Sequence, residues 1–193
     1  GQGTFSGVVV RVTTTGVESW PVPGEPTRLV YSAGSHPGRI RTVNEDSSLV
    51  APPVFLVADG MGGHAAGEVA SEMCVRILQR ELLQAEFAPG DATRLLADSL
   101  RRANRAIFER TQVEVDKQGM GTTASVLILA AGHYLIGQVG DSRAFLLRGG
   151  VLTQASVLTV SGLRNGSSRP TSTAPALSAA SASKRGSITT VPP

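Results

Sequence analysis

One stretch constrains this chain more than any other: Val54-Phe55-Leu56-Val57-Ala58 followed by Asp59-Gly60-Met61-Gly62-Gly63-His64. Five apolar residues in a row, closed by glycines, read as a short buried strand. The strand ends on an aspartate, and a helical pattern begins near Gly67. A carboxylate at the end of a buried strand is held rigidly yet faces a cleft. The glycines beside it let backbone amides and carbonyls come close to a ligand. Carboxylate and carbonyl oxygens together suit a hard cation. Asp-Gly alone most often marks a turn, so the reading needs support from elsewhere in the chain.

The flanking pattern sets the fold class. From about Gly67 to Ala85, Ala70, Met73, Ile77 and Leu78 fall near one helical face, while Glu68, Glu72, Arg76 and Arg80 lie largely elsewhere. Asp91 is placed to cap a second helix running to about Thr111, with Leu96, Leu100, Ala103 and Ile107 as its core stripe. The period then changes. Residues 122–130, 134–139, 143–147 and 151–154 read as strands joined by short turns at Ala131-Gly132, Gly140-Asp141-Ser142 and Gly149-Gly150. A strand, two helices and consecutive hairpins predict an α+β layout with helices packed on a largely antiparallel sheet. A dinucleotide fold is disfavoured. The run Gly60 to Ala65 fits its glycine fingerprint loosely, but no acid ends a second parallel strand, and hairpins replace the alternation of strand and helix.

Composition sharpens the boundaries. The formal net charge of +3 would hint at an acidic partner, yet residues 1–154 hold 14 Lys and Arg against 15 Asp and Glu. Residues 155–193 hold four basic residues and no acid, so the basic character belongs to the tail rather than to a nucleic-acid surface. Aromatics at 4% offer no stacking platform for bases. No apolar run approaches the roughly 18 residues of a membrane span. A single cysteine, Cys74, falls among apolar helix neighbours and reads as core in a reducing, cytoplasmic setting. Residues 1–27 contain a strand-like run at Val8–Val12, but the prolines at 21, 23 and 26 mark them as a leader and linker. Residues 28–32 are a candidate first strand, with a turn at 33–38. The folded part is expected over 28–154. The segment 155–193 is rich in Ser, Thr, Ala and Pro and is expected to be disordered or an out-of-frame tail.

A second acidic pair, Glu45-Asp46, follows Arg41 by four and five residues. The planar fork of Arg41 suits a phosphate oxygen. Acids for a cation beside an arginine for an anion point to metal-assisted phosphate chemistry. Four segments then occur in order: Arg39 to Asp46 (Arg-Ile-Arg-Thr-Val-Asn-Glu-Asp), Val57 to Glu68, Gly119-Met120-Gly121-Thr122-Thr123, and Val139-Gly140-Asp141-Ser142-Arg143. Together they strongly resemble the metal-dependent serine/threonine protein phosphatases, the PPM or type 2C family, and its bacterial branch above all, over about residues 28–154.

The resemblance implies a sandwich of antiparallel β-sheets flanked by helices, here incomplete at its C-terminal end. It implies hydrolysis of phosphoserine and phosphothreonine in proteins with two Mn²⁺ or Mg²⁺ ions and an activated water, opposite a Ser/Thr kinase. Carried over residue by residue, Asp59 is the bridging carboxylate, Gly60 supplies a backbone carbonyl to one metal, and Glu45 holds metal-associated water. Asp46 is the acid beside it, Arg41 binds phosphate, His64 is the general acid for the leaving alkoxide, and Asp116 binds a third, weaker metal. Asp141 is read as structural.

The departure from the family pattern lies in the second half, which in the family supplies two further metal-binding aspartates. This sequence has no Asp or Glu after Asp141. Two cations a few ångströms apart repel strongly, so reduced metal occupancy is expected, and open sheet edges would favour self-association. A non-catalytic phosphatase-like module that binds phosphoproteins or a partner is therefore the alternative to an enzyme.

Overall fold

The computed structural model describes residues 5–14, 27–39, 42–62, 66–87, 91–130, 133–154 and 187–191. Arg41 and His64, both expected at the site, lie outside these residues, as do the turns at Pro89-Gly90 and Ala131-Gly132.

The chain builds a central sheet with helices on one face and a smaller sheet on the other. Strands β1 (Phe5–Thr14) and β2 (Thr27–His36) pair antiparallel over ten residues, from Phe5 opposite His36 to Thr14 opposite Thr27. Next come β3 (Asp46–Ala51), β4 (Val54–Met61), helix α1 (Ala66–Leu82), helix α2 (Asp91–Val113) and a 3-10 turn, Val115–Lys117. Strands β5 (Gly121–Thr122), β6 (Ala124–Ala130) and β7 (His133–Val139) return to the central sheet. The hairpin β8 (Phe145–Arg148) and β9 (Val151–Gln154) and a final strand β10 (Ser187–Val191) follow. The central sheet runs β10-β7-β6-β4-β3 with β5 on the end of β4, and every pairing is antiparallel.

Residues read as a leader thus include β1, and residues read as a tail include β10, which pairs along β7. The strand β2 runs through His36, into the segment expected as a turn at 33–38. Both helices start and end within a few residues of their sequence pattern.

Alternation along β4 separates the two faces. Val54, Leu56 and Ala58 enter one core with Ala70, Cys74, Leu78 and Leu82 of α1 and Leu96, Leu100, Ala103 and Ile107 of α2. The helix residues recur at three- and four-residue steps, the spacing of a single buried stripe. Phe55 lies on the opposite face, where its ring meets Tyr31 of β2 edge-on at 5.6 Å. That alternation puts Asp59 on the same face as Phe55, at the exposed end of the strand. The hairpin β8–β9 leaves Phe145, Leu147 and Leu152 exposed.

Candidate metal and phosphate site

Four of the expected residues meet where β3 and β4 run side by side. Asp46 is directly opposite Asp59 in the register, and the Gly60 amide donates to the Glu45 carbonyl at 3.1 Å one position further on. Glu45 and Gly60 therefore form the hydrogen-bonded rung. The amide and carbonyl of Asp59 turn away from β3, toward Thr123. Asp46 and Asp59 are thus a non-hydrogen-bonded pair, the kind in which Cα atoms approach to about 4.5 Å and side chains stand closest. Two carboxylates in that relation repel. A cation between them would turn the repulsion into attraction.

Glycine is required at this junction. A Cβ on Gly60 would fall 2.1 Å from the Gly67 carbonyl oxygen and 2.4 Å from that of Glu45. A Cβ on Gly67 would come within 3.0 Å of the Glu45 carboxyl carbon. The first turn of α1 therefore lies against both strands, with the Glu45 carboxyl group at the positive end of the helix. Buried Ser71 fastens the same segment from α1: its Oγ lies 2.7 Å from the Glu45 carbonyl and 2.9 Å from Ser47 Oγ.

Asp59 is clamped from its other side. Its amide donates to Thr123 Oγ1 at 3.0 Å, and its carbonyl accepts from the Thr123 amide at 2.9 Å and from Thr122 Oγ1 at 3.0 Å. Thr123 Oγ1 lies 2.6 Å from Ser142 Oγ in the Gly-Asp-Ser turn. That turn closes on Thr123 through Gly140, whose φ of 90° favours glycine and whose Cβ would meet Thr123 Cγ2 at 2.7 Å. The Gly-Thr-Thr and Gly-Asp-Ser segments, 19 residues apart in the chain, are one support behind Asp59.

Asp46 is held by a hydroxyl chain. Ser6 Oγ donates to Asp46 Oδ2 at 2.7 Å, Ser6 and Ser35 Oγ are 2.5 Å apart, and Asn44 Nδ2 donates to Ser35 Oγ at 2.5 Å. Asn44 Oδ1 in turn accepts from the Asp46 amide at 3.2 Å. Asp46 Oδ1 is buried without a hydrogen-bond partner. Ser6 and Ser35 are site-supporting residues with no signal in the sequence, because nothing local marks a serine that bonds to another part of the chain; Ser142 lies in the Gly-Asp-Ser turn that the sequence does mark.

Asp116 lies on the 3-10 turn after α2 with its side chain 72% exposed, paired with Lys117 Nζ at 2.8 Å. The Lys117 hydrogen bond, aided by its charge, holds this carboxyl below the usual range. Cys74 is buried in α1, where burial pushes its thiol up to about 12. A protonated, enclosed thiol is no nucleophile. Among the described residues, no three His, Cys, Asp or Glu side chains converge closely enough to hold a metal. The donor set at the β3–β4 end fits a hard cation in kind: carboxylates, a glycine-bounded backbone, and a buried carboxylate oxygen with no other partner.

The described residues form a layered α+β fold with an acid–glycine strand end at the edge of its central sheet. The comparison with known proteins is specific. The family model for protein phosphatase 2C matches residues 40–176, and the chain belongs to that family. It is 41% identical over 126 residues to the serine/threonine protein phosphatase PstP of Mycobacterium tuberculosis, covering 65% of this chain and 24% of that protein. It is 42% identical over 128 residues to the serine/threonine phosphatase stp of Listeria monocytogenes, covering 61% and 49%. Among solved structures, that of M. tuberculosis PstP/Ppp superimposes with a TM-score of 0.58 at 32% identity, over 78% of this chain and 54% of that one. The PstP catalytic domain in complex with two manganese ions gives 0.58 at 31% identity, over 79% and 56%. The chain thus spans about a quarter to a half of the length of these curated relatives. Among the described residues no helix is long and apolar enough to cross a membrane.

Proposed function

We propose that this chain carries part of a metal-dependent phosphoserine and phosphothreonine hydrolase site, with phosphorylated proteins as substrates and a Ser/Thr kinase as its functional opposite. The observation that carries this reading is the facing pair Asp46–Asp59, with the Glu45–Gly60 rung beside it. Asp59, the Gly60 carbonyl and Glu45 would hold Mn²⁺ or Mg²⁺, with Asp46 beside them and Asp116 toward a third, weaker ion. When bound, the metal supplies an activated water and neutralises charge on the phosphoryl group. Arg41 would orient the phosphate through its fork. His64 would give a proton to the serine or threonine oxygen as the P–O bond breaks. No covalent step on a cysteine is required, in keeping with the buried Cys74. A cytoplasmic place of action fits the same chemistry.

The second reading, a non-catalytic module that binds phosphoproteins or a partner, is favoured by two facts. Among the described residues no three metal-binding side chains converge, and the buried Asp46 Oδ1 has no hydrogen-bond partner. Hydrolysis of p-nitrophenyl phosphate and of a phosphothreonine peptide, with and without Mn²⁺, separates the two. Metal-dependent turnover abolished by Asp59→Ala supports the enzyme. Absence of turnover, together with failure to titrate Mn²⁺, supports the module.

A further inference from the structure

We infer that Ser6, on the N-terminal strand β1, is a positioning residue for Asp46 and through it for the metal site; the inference rests on the metal reading above. Asp46 Oδ2 can only accept while the carboxylate is ionised, so the Ser6 hydroxyl spends its proton there, at 2.7 Å. Ser35 must then donate to Ser6, since Ser6 has no second proton to give. Ser35 accepts in its turn from Asn44 Nδ2, which can only donate. The polarity of the chain Asn44, Ser35, Ser6, Asp46 is therefore fixed, and every proton points toward the carboxylate.

The geometry that makes this possible is not local. Ser6 and Ser35 are opposite each other across β1 and β2, and the pair bridges to a residue 40 positions along the chain. Asn44 closes the circuit by accepting from the Asp46 amide. The chain consumes Oδ2 and leaves buried Oδ1 as the carboxylate oxygen without a hydrogen-bond partner. A carboxylate anchored at one oxygen has its rotation fixed before a cation arrives, which is how partners behind a ligand tune metal affinity. The strand set apart in the sequence as a leader is, on this reading, part of the site.

The test is Mn²⁺ titration followed by loss of the free-ion electron paramagnetic resonance signal, using the whole chain and four proteins: wild type, Ser6→Ala, Ser6→Thr and Asp59→Asn. Ser6→Ala should bind Mn²⁺ about ten-fold more weakly. Ser6→Thr, which keeps the hydroxyl, should restore binding close to wild type. A thermal melt in chelator checks that Ser6→Ala is folded, and the rescue by threonine holds the question open to refutation if it is not. Wild-type binding that depends on Asp59 but is the same in Ser6→Ala overturns this inference alone. Equal binding by wild type and Asp59→Asn, or none by either, overturns the metal reading and this inference with it.

Discussion

Asp59 and Thr123 exchange two hydrogen bonds, amide to side-chain Oγ1 at 3.0 Å and carbonyl from amide at 2.9 Å, across 64 residues of sequence. The side chain therefore does what a backbone carbonyl would do in a regular ladder, and Thr123 is buried while Asp59 is exposed. Thr123→Val keeps the shape and removes the acceptor. It should cost about 1–2 kcal/mol, measured by urea unfolding, whereas Thr123→Ser should cost less because the hydroxyl survives. Ser142→Ala should give a smaller loss, because Ser142 reaches Asp59 only through Thr123.

Gly60→Ala should be far more damaging than a one-carbon change suggests. The new Cβ would lie 2.1 Å from one backbone oxygen and 2.4 Å from another, and neither is the end of a flexible side chain that could swing away. Relief requires α1 to separate from β3 and β4. A loss of about 3 kcal/mol or more is expected, seen as a non-cooperative thermal transition by circular dichroism. Gly149→Ala is the control, since nothing lies within 4 Å of its Cβ; strain at its φ of 55° should be its only cost.

These positions show what was legible in the sequence. Helices α1 and α2 were readable because their buried residues recur at helical steps, and β4, β6 and β7 because apolar runs ended at glycines. The motif marks Asp59, Gly60 and Glu45 in the chain, and the β3–β4 pairing brings Glu45 and Gly60 onto one rung; their metal role is the proposal above. Strand β3 was not readable: Asn44-Glu45-Asp46 has turn chemistry, and burial along Asp46–Ala51 lacks the alternation that marks a half-buried strand. Strand β1 shows in the sequence only as a local run, and the prolines after it mark it off from the fold; the pairing appears only in its register with β2. The Ser6–Asp46 and Thr123–Asp59 links are non-local polar contacts, and no periodicity encodes them.

Glu81 and Arg102 should give α1 and α2 a dependence on pH. Arg102 reaches Glu81 with Nε at 2.8 Å from both carboxylate oxygens and with Nη2 at 2.7 Å from Oε2. Burial by itself pushes the Glu81 carboxyl up, but the bonds from Arg102 and Ser99 and the charges of Arg102 and Arg80 outweigh it and hold the group below its usual 4.5. A carboxyl depressed in the folded state adds stability that is present above the unfolded pKa and lost as pH falls through the folded one. Glu81→Gln should therefore be less stable than wild type near pH 7, by about 1 kcal/mol for a partly exposed two-pronged pair. The difference should shrink toward zero in strong acid. Thermal melts across that range check it, and a gap that stays constant with pH would assign the effect to packing.

The facing carboxylates Asp46 and Asp59 predict a conflict between stability and function. Like charges directly opposite on a non-hydrogen-bonded rung destabilise the strands by a few tenths to about 1 kcal/mol. Asp59→Asn removes one charge while keeping shape and the backbone clamp to Thr123. In chelator it should melt higher than wild type. Mn²⁺ that binds only the folded chain stabilises it by mass action, so adding the ion should raise the wild-type midpoint and leave Asp59→Asn where it was. The two melting curves should therefore cross in order as Mn²⁺ is added. If Asp59→Asn is less stable than wild type in chelator, the carboxylate is held by its protein neighbours and the strand pair carries no stored repulsion for a cation to relieve. If both midpoints rise equally, the ion binds elsewhere than at Asp59.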